Sequence, residues 1–212
     1  MDHRWKSSLF LGRAGGPPSQ PYVKRLRYRK VVPVGLFSII KASNFGGTAV
    51  SRTPSAIDAN LVPGGLCAPV SGKAASLAEV PDPIFAGEVL GKGGAIWPDS
   101  DVVYAPISGT VSVAMPHAMG IIGDEGIEAL VHVGIDTVEM GGAGFDVFAE
   151  KRARVVAGQP LARIDRDAIA KAGHPDCVIL VVSNTAEFSS IEMLAGDGAA
   201  VSAGEAFLHV SK

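Results

Sequence analysis

Cysteine is nearly missing from this chain. Its two thiols, Cys67 and Cys177, lie far apart and outside any CxxC spacing, which excludes a disulfide framework and offers no zinc knuckle. A reducing, cytoplasmic setting fits that usage. Long apolar runs are missing too, for nothing approaches the ~18 residues of a membrane span. The nearest stretch, Val31–Ile40, follows the basic cluster Lys24–Lys30. It starts too deep in the chain for a secretory signal and lacks a small-residue cleavage site. Net charge is small as well, only −2, but it is unevenly spread. Residues 1–60 hold ten Lys and Arg against two Asp and Glu, and residues 61–212 hold nine against nineteen. One short basic run is not a nucleic-acid surface, so no nucleic-acid partner is expected. Residues 1–60 therefore read as a basic, disordered extension, too rich in Gly, Pro, Ser and charge to bury a core. Residues 61–212 read as the folded domain.

What the chain does have is turns. With 26 Gly, 14 Pro and 47% hydrophobic residues, it reads from Leu61 onward as short apolar segments separated by Gly, Pro, Asp and Ser. That is the pattern of an all-β domain, an antiparallel sandwich or barrel with short helices. Two echoes run through it: Ala68–Gly72 (APVSG) returns as Ala105–Gly109 (APISG), and Arg154–Ile164 is loosely matched by Ala200–Val210. Either two turn types are used twice or the unit is duplicated. One short helix is expected after Asp165 or Asp167, running to Lys171 and stopped by Gly173 and Pro175, and another over Thr185–Leu194. Cys177–Val182 reads as a buried strand, with both cysteines in the core.

The stretch His117–His132, HAMGIIGDEGIEALVH, holds the chemistry. A turn at Gly123–Gly126 with a two- or four-residue loop pairs residues whose numbers sum to 249, setting His117 opposite His132. Ala118, Gly120, Ile122, Ile127, Ala129 and Val131 then share a core face. The histidines share the other with Met119, Ile121, Glu128 and Leu130. A three-residue loop would shift the sum to 250 and split the histidines between faces. The 249 register segregates the side chains more cleanly, and it brings the two rings together as directly opposed residues roughly 4.5–5.5 Å apart at Cβ. Paired imidazoles among apolar neighbours suit a metal site or a nucleophile with a helper. His3, His174 and His209 have no comparable context.

Gly126–Val138, GIEALVHVGIDTV, resembles the signature of the glucose-type IIA domain of the bacterial phosphoenolpyruvate-dependent sugar phosphotransferase system. The resemblance extends through Val80–Pro98, Tyr104–Val111, Gly134–Phe145, Val155–Leu161 and Val178–Asn184, about residues 62–212 in all. It implies an antiparallel β-sandwich and no cofactor or metal. His132 would accept a phosphoryl group from the carrier protein HPr and pass it to the cysteine of a sugar-specific IIB domain, supported by His117. Asp136 matches an acidic docking position, and Met119 and Leu130 are expected to form an apolar docking surface. Two departures stand out. Met115 occupies a position where the family often has Thr, and Lys92 one where many members have Asp. With no IIC segment and no IIB cysteine motif, a separate permease is expected. The competing readings are a zinc hydrolase, which would need about three protein ligands, and a purely regulatory binding module.

Overall fold

The computed structural model describes residues 53–59 and 61–212. The expected disordered extension falls on residues that lie, apart from 53–59, outside the described ones. Among the described residues the chain forms fourteen strands. In chain order they are β1 (Gly65–Cys67), β2 (Gly72–Ala75), β3 (Lys92–Pro98), β4 (Val102–Tyr104), β5 (Gly109–Ala114), β6 (Ala118–Gly123) and β7 (Glu128–Val133). Then follow β8 (Phe145–Val147), β9 (Arg154–Val155), β10 (Pro160–Ile164), β11 (Val178–Val182), β12 (Ser190–Met193), β13 (Ala200–Val201) and β14 (Ala206–Ser211). Two short helices, α1 (Pro83–Ala86) and α2 (Arg166–Lys171), interrupt them. The all-β antiparallel fold expected from the sequence is what the structure shows.

One sheet has eight strands in the order β13-β2-β3-β11-β7-β6-β5-β9, and two smaller sheets run β1-β14-β12 and β4-β10-β8. These orders read identically when β1, β2, β3, β11, β12, β13 and β14 are exchanged for β4 to β10 in turn. Apart from a β-bulge between Val111 and Val113 in the β5–β6 ladder, which the β2–β3 ladder lacks, the registers obey the same exchange. Gly72 faces Pro98 as Gly109 faces Gly123, and Leu66 faces Leu208 as Val103 faces Ala162. Both small-sheet ladders carry a bulge at the matching step. The fold is thus a pseudo-two-fold pair of seven-strand units, with the second unit inserted between the third and fourth strands of the first.

The sequence echoes explain the likeness. In APVSG, the Ala68 carbonyl accepts from the Gly204 N–H at 3.0 Å, and Ser71 Oγ accepts from Ala203 N–H at 2.9 Å. In APISG, the Ala105 carbonyl accepts from Gly158 N–H at 2.9 Å, and Ser108 Oγ accepts from Ala157 N–H at 3.0 Å. The two segments cross at the pseudo-axis: Cys67 N–H donates to the Pro106 carbonyl at 2.9 Å and Tyr104 N–H to the Pro69 carbonyl at 2.7 Å. These bonds satisfy backbone groups that no ladder reaches.

At the centre of the large sheet, every residue of β11 is buried, as its unbroken β-branched and Leu run requires. Val178, Leu180 and Val182 join the main core with Val131, Val133, Leu161 and Phe207. Ile179 and Val181 face the other way into a second cluster with Leu77, Val80, Phe85 and Ile135. Cys67 and Cys177 are both buried free thiols. Burial pushes Cys67 up to about 11, and burial, with the Asp176 carboxylate, pushes Cys177 up to about 12.

Asp165 caps α2 through Ala168 N–H at 2.9 Å, and the helix ends before Gly173 as expected. The helix expected over Thr185–Leu194 does not form. A single 3-10 turn at Thr185–Glu187 gives way to β12, which pairs with β14. Sheet pairing overrides local helical preference there.

Candidate active site

The β6–β7 hairpin places the site, and its register differs from the one expected. Ala118 faces His132 and Ile122 faces Glu128, so paired numbers sum to 250 and the loop is three residues, Asp124-Glu125-Gly126. Gly126 sits at φ 85°, the left-handed position that ends a type I turn in such a loop. The shift leaves the faces of β7 as expected but turns β6 over. Met119 and Ile121 enter the main core, whereas Ala118, Gly120 and Ile122 lie on the outer face with Leu130 and His132. Met119 is fully buried, which corrects its assignment to an exposed docking surface. Leu130 is half-buried against the second cluster and keeps its place beside the site.

Even so, the two histidines meet, by another route. Met115 and Ala118 exchange backbone hydrogen bonds at 2.9 and 3.3 Å, closing β5 to β6 with Pro116-His117 as a two-residue turn. His117 therefore lies outside the strand and is free of its alternation. Its carbonyl accepts from Val133 N–H at 2.8 Å, and its ring centroid lies 5.3 Å from that of His132, nearly edge-on at 68°.

A third ring, missed from the sequence, completes the wall. Asp82 caps α1 by accepting from Ile84 N–H at 2.7 Å and Phe85 N–H at 3.0 Å, and Pro83 opens the helix. This turn holds Phe85 with its centroid 5.0 Å from His132. The signal was present in Asp82-Pro83, a cap followed by an N1 proline.

Burial, followed by the neighbouring His117, pushes His132 down to about 4, and the Gly134 backbone and then Asp82 oppose that shift. Burial also lowers His117. Both rings are therefore neutral at physiological pH. Nδ1 of His132 is fully buried and has no hydrogen-bond partner among the described residues. Nε2 is the nitrogen left to meet a partner, and a neutral imidazole nitrogen with a free lone pair is a nucleophile.

Exposed apolar side chains rim the site: Ile84, Val89 and Leu90 around α1, Met115 beside the His117 turn, and Val138 after β7. Asp136 is exposed in a left-handed conformation at the start of the 3-10 turn Thr137–Met140. Lys92 is exposed at the start of β3. Among the described residues no group of three or more His, Cys, Asp or Glu is arranged to hold a metal ion, and no helix is long and apolar enough to cross a membrane.

Comparison with known proteins agrees with this geometry. Residues 65–188 match the family described as phosphoenolpyruvate-dependent sugar phosphotransferase system, EIIA 1. The chain is 46% identical over 136 residues to the mannose-specific EIIBCA component of Corynebacterium glutamicum, covering 63% of this chain and 20% of that protein. It is 40% identical over 146 residues to the glucose-specific EIIBCA component of the same organism, covering 68% and 21%. The chain thus spans about a fifth of the length of these relatives. Among solved structures, glucose permease IIA from Mycoplasma capricolum superposes with a TM-score of 0.62 at 33% identity, covering 68% of this chain and 93% of that one.

Proposed function

The chain belongs to the EIIA 1 family of the phosphoenolpyruvate-dependent sugar phosphotransferase system, and from that premise we propose that it is a phosphocarrier with His132 as its acceptor. The observation that carries this reading is the His132 ring itself. One nitrogen is sealed beneath the surface, the other is left toward solvent, and His117 stands 5.3 Å away.

In the proposed reaction the Nε2 lone pair attacks the phosphorus of phospho-HPr. The new N–P bond forms as the donor's N–P bond breaks, and the released electron pair returns to the donor nitrogen. Positive charge that develops on the ring is favoured by the Gly134 backbone and by the field of Asp82, the two influences that raise the proton affinity of His132. His117 donates a hydrogen bond to the phosphoryl oxygens. The group then moves to a cysteine of a IIB domain: a P–S bond forms, the N–P bond breaks, and the pair returns to Nε2. Little covalent work falls to the protein, so alignment and water exclusion dominate. Ile84, Leu90, Val138 and Leu130 would dock either partner, with Asp136 offering a carboxylate to a basic side chain. Lys92, exposed at the start of β3, carries a positive charge where many members of the family have Asp and would favour an acidic partner group. The sugar follows from the partner permease, on whose cytoplasmic side the carrier would act.

Incubation with labelled phospho-HPr tests the reading. His132→Ala should lose labelling by at least about 100-fold, whereas His117→Ala should label but transfer onward about 100-fold more slowly. Acid-labile label persisting on His132→Ala would overturn it.

A further inference from the structure

Residues 53–59 belong to no helix or strand, and Ile57 is the one large apolar side chain among them. It lies half-buried over two turns that the exchange of units makes equivalent. In one turn Gln159 N–H donates to the Val156 carbonyl at 3.0 Å, and Gln159 Oε1 accepts from Val156 N–H at 3.2 Å. In the other Glu205 N–H donates to the Ser202 carbonyl at 3.1 Å, and Glu205 Oε2 accepts from Ser202 N–H at 2.8 Å. Gly158, at φ 81°, and Gly204, at φ 89°, are the left-handed residues of the two turns.

The paired glycines form a seat. A Cβ on Gly158 would strike the Ile57 carbonyl, and one on Gly204 would strike the Asp58 carbonyl. Consecutive peptide units of the leading segment thus lie against matching points of both units, an approach that only glycine permits. The Ile57 side chain spans the same gap, for its Cγ1 would lie 3.3 Å from the first Cβ and its Cδ1 3.3 Å from the second. Ile57 N–H fixes the register by donating to the Gly158 carbonyl at 3.0 Å.

Below the seat is the crossing of the units. Gly158 N–H donates to the Ala105 carbonyl at 2.9 Å, and the same carbonyl accepts from the Cys67 thiol at 3.5 Å. Cys67 N–H makes one of the two crossing bonds and Tyr104 N–H the other. Among the described residues the sheets join the two units through the β11–β7 ladder. The crossing lies outside that ladder, so its bonds need another cover.

We propose that residues 53–59 are a strap that holds the seam between the two units closed, with Ile57 as its clasp. The seat fits a short extended peptide that presents two consecutive carbonyls and one branched apolar side chain to paired glycines, and the chain's own leading segment fills it. Whatever precedes the strap is thereby tethered at the seam. The inference is independent of the role of His132.

Amide hydrogen exchange in the full chain tests it, because the amides that report the seam are distant in sequence from residue 57 and keep their intrinsic rates. In Ile57→Asp a carboxylate replaces the clasp, and the Gly158, Cys67 and Tyr104 amides should exchange about tenfold faster, with the Leu180 amide of β11 within about twofold of the parent. Ile57→Leu should stay within about twofold at every one of these amides. Ile57→Ala, which keeps the backbone bond and loses the bridging carbons, should give about a threefold rise at the same three amides and decides the matter if the aspartate variant does not fold. Parent rates at Cys67 and Tyr104 would overturn the proposal, and so would faster exchange confined to Gly158. An equal rise at Leu180 would overturn it too, since the segment would then support the whole domain and not the seam.

Discussion

The two seven-strand units share registers, turns and even their crossing bonds, yet only one carries the histidines. The exchange that relates them maps His132 onto Val181 and His117 onto Lys92. The strands differ little, and the connections differ greatly. Between β2 and β3 the chain spends residues 76–91, with a 3-10 turn at Leu77–Glu79 and α1, and lays Leu77, Val80 and Phe85 over the outer face. Val181 beneath them is 1% exposed. Between β5 and β6 the link is only Met115–His117, which leaves His132 half-open and brings a second imidazole beside it. The chemistry therefore lives in the links that decorate one copy of a repeated frame.

Replacing His132 by the residue of its counterpart sharpens this comparison most. The pKa of His132 is pushed down to about 4 from an ordinary 6.5. Between those values the unfolded chain binds the extra proton, so the stability that the neutral buried ring allows is present above pH 6.5 and is lost as pH falls toward 4. His132→Val should remove that share of acid sensitivity, about 2 kcal/mol across the window. Urea unfolding of both proteins at pH 7 and pH 4.5 measures it, and parallel losses would mean that the histidine unit is no more acid-sensitive than its twin.

A smaller effect tests whether the units are energetically as well as geometrically alike. Ser71→Ala and Ser108→Ala each strip a backbone N–H of its acceptor, at Ala203 and Ala157. Each should cost about 1–2 kcal/mol, with the two values agreeing closely in thermal unfolding. A wide gap would break the equivalence.

The smallest effect belongs to a feature present in one unit alone. Arg154 and Asp124 form an exposed two-bond ion pair, and Ala200 stands at the counterpart of the arginine. Arg154→Ala should leave the unfolding midpoint almost unchanged, with any difference vanishing in high salt.

Much of this could be read beforehand, for identifiable reasons. The alternation in β7 is a period-2 pattern with one buried face, and its faces were read correctly. The echoes APVSG and APISG were visible, but only the paired registers show that they relate whole units. Strand β6 was turned over because Asp-Glu-Gly allows loops of several lengths, and a one-residue change reverses every side chain. The left-handed Gly126 was the available clue. The expected meeting of the histidines survived that reversal only because His117 belongs to the Pro116 turn and not to the strand. Phe85 reaches the site from a segment distant in sequence; Asp82-Pro83 signals its helix but not which ring that helix meets.

The two thiols lend the molecule an unplanned gauge. Cys67 lies on the crossing of the two units and Cys177 at the head of the central strand β11, each sealed and held protonated by burial. An alkylating probe can reach either sulfur only while the surrounding packing is briefly parted. The rates at which the two are modified would therefore time how often the seam and the sheet's heart come open, one clock for each.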